Sequence, residues 1–197
     1  MNKREFIKKT GLLTSAVVVA PLKSLSEELK IDRLQTQEKM VNNMNNSLPM
    51  NLVIGSDHAG FPLKGPLKET LTSWGHKVND VGSFNPEPVD FPDIALLLVE
   101  EIIKGNAERG IMVCGTGVGA SIACNKIRGV RAALCHDSYS AHQCVEHDNV
   151  NILCIGAQII GVKLAEEILN NFLNAKFSTE EHFRRRVRKL DEFDLKK

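Results

Sequence analysis

From residue 51 to the end of the chain, short apolar runs alternate with longer amphipathic stretches. The apolar runs show little polar alternation, which is typical of strands that are buried on both faces. They predict five strands, at residues 51–54, 76–81, 110–114, 130–134 and 151–155. The stretches between and after them predict helices at 62–74, 93–104, 118–127, 138–147, 161–174 and 179–193. This alternation favours an α/β fold in which helices cover both faces of one parallel sheet.

The beginning of the chain has a different character. Residues 1–9 are basic, and the apolar run at 11–20 is too short to anchor a chain stably in a membrane. Within this segment, residues 2–8 resemble a twin-arginine export signal in which Lys3 takes the place of the first arginine and Arg4 is the second. We therefore expect a periplasmic or exported protein, or a cytoplasmic one if this leader is not functional.

The organisation that follows is an export signal at residues 1–20, a polar linker at 21–49 and a folded domain at 50–197.

The charge and the cysteine content of the chain each exclude one class of protein. The chain has 25 Lys and Arg against 24 Asp and Glu, and such a balance does not attract polyanions, so no nucleic-acid binding is expected. The 5 cysteines are an odd number and lie in the second half of the chain, so a disulfide scaffold is not expected and at least one thiol is free.

Polar and reactive side chains follow the predicted strands at their carboxyl ends. Asp57 and His58 come after the first strand, Cys114 ends the third, and Gln158 follows the fifth. The carboxyl ends of parallel strands share one edge of the sheet, and ligands of such folds bind there. The sequence therefore predicts a functional site at this edge.

A glycine-rich loop at residues 115–119 leads from Cys114 into a helix. The N–H groups of such a loop and the helix N-terminus can hold an anion, and they would also stabilise a Cys114 thiolate that acts as a base or nucleophile. The alternative is a small buried cysteine, the role expected of Cys124 and Cys154. The glycine spacing does not fit a dinucleotide fingerprint, although Asp137 lies where a ribose-binding acid would be, and no Gly-Lys-Ser/Thr follows that would complete a P-loop.

Several further motifs accompany this loop in order along the chain. They are GSDHAGF at 55–61, VDFPD at 89–93, CGTGVGASIA at 114–123 with Asn125 and Lys126, GVRAA at 129–133, and NIL at 151–153 before Gly156. Together they resemble the ribose-5-phosphate isomerase B family, which also includes galactose-6-phosphate isomerase subunits. The resemblance implies a Rossmann-like three-layer α/β/α sandwich around a five-stranded parallel sheet. It also implies a homodimer in which the partner chain completes each active site.

The implied activity is that of an aldose–ketose isomerase that works through an enediolate without a cofactor, on a small sugar or sugar phosphate such as ribose 5-phosphate. Cys114 would be the general base that moves a proton between C2 and C1 of the sugar. Asp57 and His147 would open the sugar ring. The oxyanion would be stabilised by Thr116 and by the N–H groups of Gly115, Gly117, Val118 and Gly119. The residues implied in substrate binding are His58, Asp148 and Arg186.

The sequence departs from the family at positions that bind phosphate. Gln158 and His182 stand where family members have arginine, Asp148 stands where they have asparagine, and Arg186 keeps its arginine. Each charge-assisted hydrogen bond is worth roughly 1.5 to 3 kcal/mol, so these exchanges weaken phosphate binding unless Arg184 and Arg185 compensate for them through a shift in register. The alternative hypothesis is an isomerase of an unphosphorylated or differently substituted sugar outside the cytoplasm.

Two other classes of protein stay open at this point. The first is a zinc protein, because Cys135, His136, His142, Cys144 and His147 lie close together in the sequence. These residues have neither the C-x-x-C nor the H-E-x-x-H spacing that zinc sites favour, so no metal is predicted. The second is a non-catalytic sugar-binding module, since a fold by itself does not imply activity.

Overall fold

The computed structural model describes residues 48–196, and the predicted signal at 1–20 lies outside the described residues, as does nearly all of the predicted linker. The strands of this part are β1 (Asn51–Ser56), β2 (Lys77–Asp80), β3 (Arg109–Cys114), β4 (Ala132–Leu134) and β5 (Ile152–Gly156). The helices are α1 (Phe61–Ser73), α2 (Phe91–Ile103), α3 (Val118–Cys124), α4 (Ser138–Asp148), α5 (Val162–Asn174) and α6 (Glu181–Asp194).

Local sequence signals set where several of these helices begin. Pro62 and Pro92 lie in the first turns of α1 and α2, where the fixed φ of proline suits the helix and its missing N–H costs nothing. Asp137 caps α4, because its carboxylate accepts a hydrogen bond from the N–H of Ser140 at 2.8 Å. These signals start the helices that return the chain along the sheet.

The five strands form one parallel sheet in the order β2-β1-β3-β5-β4. From β1 the chain crosses to β2 on one side, whereas from β3 it continues on the other side, so the topology reverses between β1 and β3. Ser56 is paired with Val113 in the register of these two strands. The next residues, Asp57 and Cys114, therefore leave the sheet side by side.

Helices cover both faces of the sheet. One core contains Leu67, Ile168 and Phe172 from α1 and α5, packed on Ile111 and Leu153 of the sheet. The other core packs α2 and α3 against the opposite face. A fully buried large apolar side chain contributes about 1.5 to 3 kcal/mol, so both layers are held by burial on the sheet. The predicted three-layer α/β/α sandwich with a five-stranded parallel sheet is confirmed.

The main difference from the predicted elements is at the end of α3. The sequence predicts a helix over 118–127, but the helix ends at Cys124 and Asn125 caps it. The Asn125 side chain bonds both the carbonyl oxygen and the N–H of Ala132, at 2.8 and 2.9 Å, and so turns the chain into β4. Within residues 48–196, no helix combines the length and apolar character that crossing a membrane requires.

Candidate active site

The site begins where β1 and β3 end, at the point where the topology of the sheet reverses. In open parallel sheets a crevice forms at such a point, and ligands bind in it. The segment after β1 passes very close to the end of β3, since a Cβ on Gly60 would lie 2.2 Å from the carbonyl oxygen of Val113. Only glycine permits this crossing. It brings the segment that contains Asp57 against Cys114.

Asp57 and Cys114 are in direct contact at this crossing. The Cys114 thiol donates a hydrogen bond to Asp57 Oδ2, with Sγ and Oδ2 2.8 Å apart. The other carboxylate oxygen, Oδ1, accepts a hydrogen bond from the N–H of Gly60 at 2.8 Å. Asp57 is 4% exposed and Cys114 is 8% exposed. The thiol is thus held in one orientation by a buried carboxylate that is itself fixed.

Opposing effects act on the pKa of the Cys114 thiol. Burial raises the pKa of the thiol, and the hydrogen bond and charge of Asp57 raise it further. The N–H groups of Gly117 and Gly115 lower the pKa, but they do not outweigh the other effects. The loop N–H groups therefore favour the thiolate, as expected, but burial and Asp57 outweigh them and the net shift of the pKa is upward. The raised pKa favours the thiol form of Cys114, with Asp57 Oδ2 as its hydrogen-bond acceptor.

The glycine loop follows Cys114 directly and leads into α3. Thr116 is exposed at the tip of the loop, where its Oγ1 accepts a hydrogen bond from the N–H of Val118 at 3.4 Å. The ring of Phe91 supports the loop from below, because a Cβ on Gly119 would lie 2.8 Å from the ring. Phe91 belongs to the VDFPD motif, so this motif and the glycine loop, which are far apart in the sequence, are in contact at the site.

Two further residues border the same space. The side chain of Gln158 lies over Gly115, with Oε1 3.4 Å from the position of a Cβ there. His58 accepts a hydrogen bond at Nδ1 from the N–H of Val89 at 3.3 Å. We use the name thiol cluster for the side chains that meet at this edge of the sheet, which are Asp57, His58, Cys114, Thr116 and Gln158.

A second group of predicted residues lies on α4 and α6. The imidazole of His147 stacks on the ring of Phe183, with centroids 3.9 Å apart and an interplanar angle of 18°. His182 packs on the same ring, also at 3.9 Å, and the guanidinium of Arg186 lies 5.8 Å from its centroid. We call these four residues, His147, His182, Phe183 and Arg186, the histidine cluster. Phe183 is not predicted as a site residue from the sequence, because nothing in its local pattern distinguishes a stacking ring from a core residue.

The two clusters lie at opposite edges of the sheet. Helix α4 starts after the carboxyl end of β4 and runs back, so its last turn, with His147, lies where the strands begin. The contacts agree, since the carbonyl of Asn149 accepts a hydrogen bond from Arg131, just before β4. β3 has 6 residues, which at about 3.3 Å per residue separates the two edges by about 17 Å. Within one chain, His147 is therefore not brought to Cys114.

The remaining predicted binding residue, Asp148, borders a cleft of about 400 Å³ between α4, β4 and α6. Arg131 crosses this cleft and pairs with Asp191 at 3.0 Å. Asp148 follows His147 directly in the sequence and so lies on the same side of the molecule as the histidine cluster. The structure thus divides the predicted site residues into two sets.

The other cysteines and histidines do not form a second centre. Cys124 and Cys154 are fully buried in the core, as expected of small apolar residues. In the described part of the chain, no group of three or more His, Cys, Asp or Glu side chains is arranged to hold a metal ion.

A parallel α/β sandwich with a buried thiol, a carboxylate and a glycine loop at its switch point defines an α/β enzyme with an acid–base site. Comparisons with known proteins give the family. The family model described as Ribose/Galactose Isomerase matches residues 52–190. Ribose-5-phosphate isomerase B of Escherichia coli is 37% identical over 134 residues, which are 68% of this chain and 90% of that protein. D-erythrulose-4-phosphate isomerase of Pectobacterium atrosepticum is 40% identical over 130 residues, 65% of this chain and 85% of that protein.

Solved structures agree with this assignment. The structure of Clostridium thermocellum ribose-5-phosphate isomerase B matches with a TM-score of 0.73 and 41% identity, covering 75% of this chain and 99% of that one. The chain therefore belongs to the ribose/galactose isomerase family. The predicted family, fold and enzyme class are confirmed, and the protein is an aldose–ketose isomerase of this family.

Proposed function

We propose that the protein interconverts ribose 5-phosphate and ribulose 5-phosphate, with Cys114 as the general base. The observation that carries the proposal is the 2.8 Å hydrogen bond from the Cys114 thiol to Asp57 at the switch point of the sheet. Isomerisation needs one base that reaches two adjacent carbons, and a thiol held by a fixed carboxylate is such a group. Relatives whose names state this activity cover most of the domain.

The raised pKa of Cys114 suggests how the first proton moves. When the sugar binds, Asp57 takes the proton of the thiol and passes it to the ring oxygen, so that the base is generated as the ring opens. His147 accepts the proton of the anomeric hydroxyl in the same step. The thiolate then removes the proton from C2 to give the enediolate, the proton of the C2 hydroxyl passes to the oxygen on C1, and the thiol returns its proton to C1 as the C2 carbonyl forms. The N–H groups of the loop and the Thr116 hydroxyl stabilise the enediolate oxygen between these two events.

This mechanism needs a second copy of the chain, because His147 and Cys114 lie at opposite edges of the sheet. We propose a homodimer in which the histidine cluster of one copy closes the thiol cluster of the other. Val118, Ile122 and Leu134, beside the glycine loop, are apolar and 37 to 55% exposed, as expected of a surface that a partner covers. In a two-fold symmetric dimer both sites are completed in the same way.

Under this arrangement His58, Asp148 and Arg186 bind the substrate away from the reacting carbons. Arg186 would pair with the phosphate through its guanidinium, which stays charged at every working pH. The position of Gln158 favours a second candidate substrate, an unphosphorylated or differently substituted sugar, because its neutral amide lies over Gly115 where a guanidinium would add a charge.

Turnover by the full-length protein distinguishes the candidates. Ribose 5-phosphate, D-erythrulose 4-phosphate and galactose 6-phosphate are compared with free ribose and galactose, and incorporation of deuterium from D₂O into the sugar is followed by NMR. We expect exchange with ribose 5-phosphate and its absence in Cys114→Ala. Turnover restricted to free sugars favours the second candidate, and binding without exchange contradicts both.

We further propose that the protein is exported through its twin-arginine-like leader, which lies outside the described residues. The support is the order of basic and apolar residues in 1–20. Fractionation of cells that express the native chain, beside a variant with Lys3→Gln and Arg4→Gln, tests the proposal. We expect the native chain outside the cytoplasm and the variant inside it, and a cytoplasmic native chain contradicts export.

A further inference from the structure

His136 has no role in the proposed reaction, but it contacts the end of β5 beside the thiol cluster. His136 lies between β4 and α4 and is partly exposed. Its Nε2 accepts a hydrogen bond from the N–H of Gly156, with the two nitrogens 3.0 Å apart. Only a neutral imidazole with its proton on Nδ1 can accept this bond. His136 therefore acts on the end of β5 through one defined acceptor.

The end of β5 is in turn the support of the glycine loop. Gly156 is paired with Cys114 in the sheet. Its backbone touches the loop so closely that a Cβ on Gly156 would lie 2.8 Å from the carbonyl carbon and oxygen of Thr116. The next two N–H groups, of Ala157 and Gln158, donate hydrogen bonds to the carbonyls of Cys114 and Gly115 at 2.8 and 3.0 Å. Three successive residues, beginning with the last residue of β5, thus hold the backbone that carries the base and the oxyanion donors.

We propose that His136 is a positioning residue of the isomerase, and this inference rests on the proposed function of Cys114 and the loop. The imidazole fixes Gly156, and Gly156 with its two successors fixes the distance between the Cys114 sulfur and the loop N–H groups. Preorganised donors act only while they stay in place, and a displacement near 1 Å costs about 100-fold in rate. His136 does not touch the substrate, so it alters the rate through the loop and leaves substrate binding nearly unchanged.

Two substitutions separate the acceptor from the bulk of the side chain. His136→Gln keeps an acceptor oxygen near the position of Nε2, whereas His136→Leu fills similar space without one. We expect His136→Leu to lower kcat by about 10- to 100-fold with KM within about 3-fold of the native value, and His136→Gln to restore kcat to within about 3-fold. His142→Leu makes the same exchange at a histidine on α4 that lies outside both clusters, and we expect native turnover from it.

A measurement without substrate keeps this inference separate from the proposed function. Hydrogen exchange of the backbone N–H of Gly156 and of peptides covering 114–119 is compared in the free proteins. We expect exchange about ten-fold faster in His136→Leu and nearly native in His136→Gln. Unchanged exchange in His136→Leu, or equal impairment of both variants, overturns the positioning role. A native protein that isomerises none of the sugars contradicts the proposed function alone.

Discussion

The two clusters are built in different ways. The thiol cluster rests on backbone hydrogen bonds and buried groups on both sides. The N–H of Ser56 donates to the carbonyl of Gly82 at 2.5 Å, and the N–H of Ser83 donates to the carbonyl of Ser56. Lys64 is only 3% exposed and fixes the same loop through Asp80 and the carbonyl of Ser83, both at 2.6 Å.

The histidine cluster has less support of this kind. Of the described residues of α6, only Val187 is buried, and Arg184, Arg185 and Arg186 are exposed. His147 stacks on the ring of Phe183 on that helix, and its Nε2 lies 3.7 Å from the Glu146 carboxylate. The base and its donors are therefore positioned by contacts within one chain, whereas the groups proposed for ring opening and phosphate binding lie on a surface that a second copy would contact.

The largest expected effect tests whether the clusters belong to one site. We expect Cys114→Ala to lower kcat about 10³-fold and His147→Ala about 10²-fold, because each removes a proton-transfer group. When the two inactive proteins are unfolded and refolded together, about half of the dimers are mixed. One of the two sites in each mixed dimer has both groups intact, so activity should recover to about a quarter of the native value.

A matched mixture provides the control for this experiment. Asp57→Ala and Cys114→Ala both damage the thiol cluster, so every site in their mixed dimers carries one of the two defects and no activity should return. Circular dichroism checks that each variant folds. Failure of the first mixture to recover, or recovery in the control, contradicts a site shared between the clusters of two copies.

The second prediction concerns the proton inside the thiol cluster. In Asp57→Asn the carboxylate charge that raises the pKa of Cys114 is gone and only a weaker amide oxygen is left as acceptor, while the N–H groups of Gly115 and Gly117 that lower the pKa remain. The pKa of the thiol should therefore fall, and thiolate should appear at lower pH than in the native protein. Turnover should nevertheless be lost, because the acceptor of the first proton is missing.

Ultraviolet absorbance of the thiolate measures this shift, with Cys114→Ser subtracted in each background. Asp137→Asn is the matched control, since Asp137 is also a carboxylate that accepts a backbone hydrogen bond but caps α4 outside the cluster. The thiol should titrate as in the native protein there. An unchanged or raised thiol pKa in Asp57→Asn would mean that Asp57 does not control the proton of Cys114.

Much of the fold can be predicted from the sequence, because the apolar runs show which strands must be buried. Apolar runs such as Ile111 to Val113 have no polar side to expose, so they require helices on both faces. The end of α3 could not be predicted in the same way. Asn125 stops the helix by bonding to Ala132 across a turn, and a propensity for helix over 118–127 contains no trace of that contact.

The site shows the same limit. The position of Cys114 at a strand end follows from the pattern, but its pKa depends on Asp57, 57 residues earlier in the chain, and on burial that only packing determines. The roles of Phe183 and His136 are invisible in the sequence for the same reason. Each depends on a contact with a residue distant in the sequence, which is His147 for Phe183 and Gly156 for His136.

The smallest expected effect concerns the histidine cluster and its stacking ring. Phe183→Leu keeps an apolar side chain on α6 but removes the face on which His147 lies. An aromatic pair is worth about 0.5 to 1.5 kcal/mol beyond its buried area, so the imidazole should spend more time in other rotamers and kcat/KM for ribose 5-phosphate should fall several-fold. Phe193→Leu, on the same helix with a 57% exposed ring, should leave the rate unchanged.

The substrate itself can show whether this loss comes from ring opening. D-erythrulose 4-phosphate carries its phosphate on O4 and cannot close a five-membered ring through that oxygen, so its isomerisation needs Cys114 and the loop but no ring-opening step. Where the native protein isomerises both sugars, Phe183→Leu should therefore slow ribose 5-phosphate and spare D-erythrulose 4-phosphate. Equal losses on both sugars would assign the stack to binding the phosphate rather than to orienting His147. In that case the thiol cluster would carry out the proton transfers and the histidine cluster would bind the phosphate.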